Sequence, residues 1–213
     1  MRVPDEAPPA SGTASAARRV VVVAGSVEGI DALARLINGL PSTFPVQVVA
    51  HVRGLRNASM TRLVRNKLYF PATPEVVFAR DGEPVRAGGF YVAPAGREPI
   101  FTDTGILGIV RAGPHAGADR LFESAAFRYG AGTVGVVLSG LGDDGTRGLL
   151  AITEVHGTRV VQSPSEASFT AMPANALLGD HIQHAVVLDR LGVLLRELVE
   201  APPTGGAAAR GRT

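Results

Sequence analysis

The chain has 213 residues, enough for one large domain or two small ones, and its 46% hydrophobic content is ample for a buried core. Residues 1–19 hold three Arg and two acids and residues 200–213 two Arg and one acid, so the 21 basic and 19 acidic residues of the chain leave 16 of each between them. A neutral middle carries no electrostatic footprint for nucleic acid, the lack of Cys excludes disulfides, thiolate catalysis and Cys-ligated zinc, and no apolar run is long enough to span a membrane.

Residues 1–17 are rich in Pro, Ala, Ser and Gly without periodicity and read as a disordered leader. They lack the apolar stretch of a signal peptide, and a cytoplasmic protein is expected. The domain is expected to run from 18 to 200, with 201–213 a loose tail. Val20-Val21-Val22-Val23-Ala24 is an apolar run that suits a strand covered on both faces, and it stops at Gly25-Ser26-Val27-Glu28-Gly29. Ile30 to Leu40 then shows helical spacing at Ile30, Leu33, Ala34 and Ile37. Ser26 therefore sits at a strand-to-helix junction. Gly25 and Gly29 do not make a dinucleotide fingerprint, and no P-loop Lys follows.

Val46 to Ala50 reads as a second strand that delivers His51 at its end, followed by a helix through Met60, Leu63, Val64 and Leu68 and a third strand at Val76-Val77-Phe78. From Asp81 to Val110 the runs Phe90 to Ala93, Ile100 to Thr102 and Gly105 to Val110 alternate with turn residues, and antiparallel hairpins are expected there. After a Gly/Pro/His loop, Asp119 is placed as the cap of a helix through Leu121, Phe122, Ala125, Ala126 and Tyr129. The α/β pattern then resumes with a strand Thr133 to Ser139, the glycine-rich turn Gly140 to Gly145 and a helix Thr146 to Val155. It continues through a strand Thr158 to Gln162, a helical piece broken at Pro173, a strand Ala185 to Leu188 and a helix Arg190 to Val199. Such alternation predicts an α/β fold: a doubly wound, mostly parallel sheet with helices on both faces and an inserted antiparallel hairpin region.

Ser26, His51 and Asp144 then fall at or just past the carboxyl ends of three strands, where a parallel sheet gathers ligands and chemistry. Their types supply a nucleophile, a base and an acid that fixes the base, as acyl transfer by serine requires. Each also has a structural reading: Ser26 as a helix cap, His51 as a strand-end residue, and Asp143 or Asp144 as turn acids. His156, His181 and His184 read as structural, whereas His115 in the glycine loop is placed on the substrate side. The paired Asp143 and Asp144 lack the further spaced oxygen ligands of a cation site, so no metal is expected.

Taken together the motifs resemble the catalytic domain of the bacterial chemotaxis protein-glutamate methylesterases. The family's G-A-S-T-G-G is matched by Ala24 to Gly29, its Q-H-M by Ala50-His51-Val52 and its Y-x-A-P-G-G by Tyr91 to Gly96. Its D-x-L-F-x-S-A-A is matched by Asp119 to Ala126, its L-T-G-M-G-x-D-G by Leu138 to Gly145, and its A-x-x-x-G-M-P segment by Ala167 to Pro173. The resemblance covers about residues 19–199, in the family's order. It implies Ser26 as nucleophile, His51 as base and Asp144, rather than Asp143, as orienting acid. Backbone N–H groups at Val27 and Leu141 are expected to hold the oxyanion.

The implied reaction is hydrolysis of glutamate γ-methyl esters on a chemoreceptor or chemoreceptor-like protein, releasing methanol, with glutamine deamidation as the related activity and no cofactor. The family's Thr-Gly after the nucleophile is here Val27-Glu28, and its H-R-P-S stretch is Pro114 to Gly117. The leader is too short to fold as the receiver domain that usually precedes this domain, so regulation by another route is expected. Two further readings stay open: a serine hydrolase acting on another protein ester or amide, and a catalytically weak signalling module of the same fold.

Overall fold

The computed structural model describes residues 19–68, 75–113, 117–179 and 181–201. The expected leader, the tail beyond 201 and His115 lie outside them. Seven strands form one parallel sheet: β1 (Val20–Ser26), β2 (Gln47–Arg53), β3 (Val76–Phe78), β5 (Phe90–Val92), β8 (Thr133–Val137), β9 (Thr158–Gln162) and β10 (His184–Val186). Their order is β10-β9-β8-β1-β2-β5-β3. The chain passes from β1 to β2 and on to β3 at one edge, fills the place between them with β5, and then returns to wind outward from β8 on the other side. β1 and β8 therefore flank the crevice where strand order reverses, which is where open α/β sheets place their ligands.

β1 lies at the centre because every side chain before its terminal Ser26 is apolar or absent. All seven of its residues are buried, and each fully covered valine contributes roughly 1.5–3 kcal/mol. Val21 and Val23 enter a core closed by α1 (Ile30–Gly39), α2 (Ala58–Leu68) and α6 (Leu188–Glu200). Val20, Val22 and Ala24 enter the opposite core, closed by α3 (Asp119–Tyr129), α4 (Thr146–Glu154) and α5 (Ala171–Leu178). Residues two apart share a face of a strand, so Ser26 points to the same side as Ala24. A small antiparallel sheet of β4 (Glu83–Pro84), β7 (Ile106–Arg111) and β6 (Arg97–Phe101), in that order, packs against α3.

The structure corrects several of these expectations. β2 runs on to Arg53, so His51 stands within the strand and not at its tip. Phe90–Val92 belongs to no hairpin; it is a parallel strand between β2 and β3, and its Phe90 and Tyr91 enter opposite cores. A strand covered on both faces reads as a short apolar run whatever its pairing. Asp119 is not the cap of α3 but its first residue, and its carboxylate accepts from Gly148 N–H at 2.7 Å. Pro173 does not break α5, because it is the third residue, where the helix has no N–H acceptor to lose. β10 ends at Val186, and α6 takes over at Leu188 instead of Arg190.

Candidate active site

Ser26 closes β1 and is 1% exposed. Its Oγ accepts from Gly29 N–H at 3.3 Å. The residue that caps α1 is Gly29, with no side-chain cap bond, so Ser26 stands three residues ahead of the capping position. The turn it begins is held tightly: Val27 N–H donates to Arg53 carbonyl oxygen at 2.9 Å, extending the β1–β2 ladder one residue beyond the strand. That bond removes Val27 from the oxyanion donors expected from sequence, since its N–H already has an acceptor. Leu141 N–H makes no hydrogen bond among the described residues. Glu28 is exposed and lines a cavity of about 180 Å³ with Asp31, Arg35, Phe169 and Leu188, of which His51 forms no part.

His51 pairs with Ala24 across the β1–β2 ladder, while Ser26 pairs with Arg53. Paired residues of a parallel ladder share a face, so Ser26 and His51 point to one side from neighbouring strands. Asp144, in the loop after β8, comes to the same place: its Oδ2 lies 3.3 Å from His51 Nδ1, with both side chains under 10% exposed (8% for His51 and 5% for Asp144). Neither atom has an aligned hydrogen-bond partner among the described residues. The separation exceeds that of a charge-assisted bond, about 2.7–2.9 Å, and the two groups are close without being aligned as a hydrogen bond. The adjacent Asp143 is exposed.

Three features hold Asp144. Its Oδ1 accepts from Ala118 N–H at 2.6 Å, at the start of α3. Gly117 runs so near that a Cβ there would lie 2.0 Å from Oδ1. Gly142 and Gly145 have φ of +91° and +86°, the left-handed region in which glycine avoids the Cβ penalty. Two consecutive carbonyls of the loop are each tied by a side chain from another element: Arg53 Nη1 donates to Leu141 oxygen at 2.9 Å, and Asn175 Nδ2 to Gly142 oxygen at 2.8 Å. Met172 and Gly140 close the floor; a Cβ on Gly140 would lie 3.0 Å from Ser26 Oγ.

Arg53, Asn175 and Glu98 belong to this framework and were not singled out by sequence. Glu98 is 1% exposed, accepts from Gly117 N–H at 2.7 Å, and pairs with Arg120 at 2.9 Å. A lone carboxylate in the apolar run Glu98 to Phe101 was its one signal. Burial holds the Asp119 carboxyl above its ordinary value of 3.8; Gly148 N–H opposes the rise and the nearby Asp144 charge adds to it. Among the described residues no three or more His, Asp and Glu side chains are grouped to hold a metal ion.

Comparison with known proteins agrees with this architecture. The chain is 32% identical to protein-glutamate methylesterase/protein-glutamine glutaminase 3 of Geobacter sulfurreducens over 188 residues, 85% of this chain and 49% of that protein. It is 34% identical to protein-glutamate methylesterase/protein-glutamine glutaminase 5 of Myxococcus xanthus over 184 residues, 80% of this chain and 52% of that protein. The chain thus spans about half the length of the curated relatives it matches. The crystal structure of the Thermotoga maritima CheB methylesterase catalytic domain superposes with a TM-score of 0.75 at 22% identity, covering 85% of this chain and 99% of that one, and so shares the fold. Residues 21–195 match the family model described as CheB methylesterase, and the chain belongs to that family.

Proposed function

We propose that this chain, over about residues 18–200, is a serine hydrolase that cleaves glutamate γ-methyl esters on a methylated chemoreceptor or chemoreceptor-like protein, in the cytoplasm. The observation that carries the reading is the convergence of Ser26 and His51 on one face of neighbouring strands with the Asp144 carboxylate 3.3 Å from His51 Nδ1. The names of its relatives support the choice of ester and add glutamine deamidation as the second activity.

In this reading Ser26 Oγ attacks the ester carbonyl while His51 Nε2 takes its proton. Asp144 holds the imidazole by Nδ1 and stabilises the imidazolium that forms. Leu141 N–H, which has no other acceptor among the described residues, receives the developing oxyanion. The tetrahedral intermediate collapses with His51 returning the proton to the leaving methoxide, which departs as methanol. Water then attacks the acyl-enzyme by the same base, freeing the glutamate carboxylate and Ser26 Oγ. With a glutamine side chain the same steps release ammonia.

The test is methanol release from a methylated receptor by the wild-type chain and by Ser26→Ala. The reading predicts release that the variant abolishes. Equal release by the two proteins rules out Ser26 as nucleophile, and a preference for a different acyl protein favours a related hydrolase.

A further inference from the structure

The wall of the site beside His51 is strongly basic. A cavity of about 300 Å³ is lined by His51, Arg53, Arg56, Pro94, Arg97 and Gly113 among others, and no carboxylate lines it. Arg97 pairs directly with Arg111 across the β6–β7 ladder, and both are exposed. Directly opposed residues of an antiparallel pair share a face, and like charges placed so destabilise the sheet. Among the described residues Arg56, Arg97 and Arg111 form no ion pair. Other cations of the molecule have carboxylate partners, Arg35 with Asp189, Lys67 with Asp31, Arg120 with Glu98 and Arg147 with Glu123, whereas exposed Arg62 and Arg196, like these three, have none among the described residues; what sets these three apart is their clustering beside His51.

Three guanidinium groups line the cavity, from β2, the loop after it and β6, and a fourth, Arg111 of β7, faces Arg97 across the ladder; among the described residues none of the four has an ion-pair partner. We propose that Arg53, Arg56, Arg97 and Arg111 form a carboxylate-binding subsite beside His51, which receives acidic side chains of the substrate protein flanking the scissile ester. The inference rests on the hydrolase reading above and names the substrate feature that reading leaves open. Guanidinium forks match carboxylates in a bidentate manner, and attraction by exposed charges is screened by salt. The subsite therefore acts on substrate capture, with the ester itself placed over Ser26.

Two synthetic peptides test it, each carrying one glutamate γ-methyl ester, flanked by Glu in one and by Gln in the other. Wild type is expected to prefer the acid-flanked ester by about tenfold in kcat/KM at low salt, a preference lying in KM and shrinking as salt rises. In Arg56→Ala/Arg97→Ala the ratio falls close to one, and Arg97→Glu reverses it. The control Arg62→Ala/Arg196→Ala removes two exposed charges that line no part of this cavity and keeps the wild-type ratio. No preference in the wild type, or the same loss in the control, overturns the proposal. Thermal melting of each variant shows whether it is folded, and relief of the Arg97–Arg111 repulsion should leave Arg97 variants at least as stable as wild type.

If neither ester is cleaved in a Ser26-dependent way, the hydrolase reading fails while the subsite is still decided. Fluorescence anisotropy of the same two peptides, labelled, on Ser26→Ala then gives the answer. Tighter binding of the acid-flanked peptide that Arg56→Ala/Arg97→Ala abolishes supports the subsite, and equal binding of the two peptides overturns it.

Discussion

The carbonyl oxygen of Ser139 occupies the space in which a side chain on Gly29 would begin, 1.9 Å from the ideal Cβ position, with the carbonyl carbon at 2.5 Å. The start of α1, where the Ser26 turn ends, is thereby pressed against the loop after β8. Gly29→Ala is expected to lower stability by about 3 kcal/mol, because backbone and not a flexible side chain must move. Gly25→Ala, which meets nothing within 4 Å, should stay within about 1 kcal/mol. Urea midpoints measured for both variants check the contrast; equal midpoints would contradict it.

Replacing Asp144 separates chemistry from folding. Asparagine still offers an oxygen to Ala118 N–H, now held at 2.6 Å, but turns an amide donor towards His51 and favours the wrong imidazole tautomer. Asp144→Asn should melt near wild type while methanol release falls by about 10⁴-fold. Asp144→Ala should in addition cost about 1–3 kcal/mol, because it leaves the buried Ala118 N–H without an acceptor. Comparable rates for wild type and Asp144→Asn would remove the carboxylate from the mechanism.

Arg53 acts on the loop through the Leu141 carbonyl and is a positioning residue. Arg53→Met frees that peptide while Asn175 still holds the next carbonyl, so the fold should persist. With the Gln-flanked ester, which makes no demand on the basic wall, kcat should drop by about tenfold with little change in KM, as expected when transition-state alignment is lost. A change confined to KM would assign Arg53 to binding alone.

Asp119 gives a pH dependence of known sign. Its carboxyl is raised in the folded chain, chiefly by burial, so the folded state holds that proton more tightly than the unfolded state does. Its stabilising contribution is present below the ordinary value of 3.8 and is lost as pH rises through the folded value. Asp119→Asn keeps an oxygen for Gly148 N–H and cannot ionise. The unfolding free energy of the variant minus that of wild type should therefore rise with pH from about 3.8 and then level off; a flat or falling difference would contradict the assignment.

The sheet was legible because its inner strands contain continuous apolar runs bounded by turn residues, as at Val20 to Ala24 and Val134 to Leu138. What stayed hidden was pairing. Nothing in Phe90–Val92 distinguishes a parallel neighbour of β2 from half of a hairpin, since that depends on where the chain has travelled before. His51 and Asp144 could be named as candidates because polar residues beside apolar strands stand out. The Val27 expectation missed that the ladder continues one residue past Ser26 and consumes the N–H. Arg53 and Glu98 act through a backbone carbonyl and a backbone N–H, and such partners leave no pattern in side-chain chemistry.

Glu98 and Asp144 grip consecutive amides, Gly117 and Ala118, one from the small sheet and the other from the loop after β8. The antiparallel hairpin is thus a strut for the acid beside His51, although it contributes no atom to the reacting groups. Its two ends are under unequal constraint. The root at Arg97 and Glu98 is coupled to the site through a shared backbone segment, whereas the exposed tip at Thr102, Asp103 and Thr104 lies at the far end of the ladder. Variation in length at that tip can therefore reshape the outer surface while the geometry around Asp144 is left as it is.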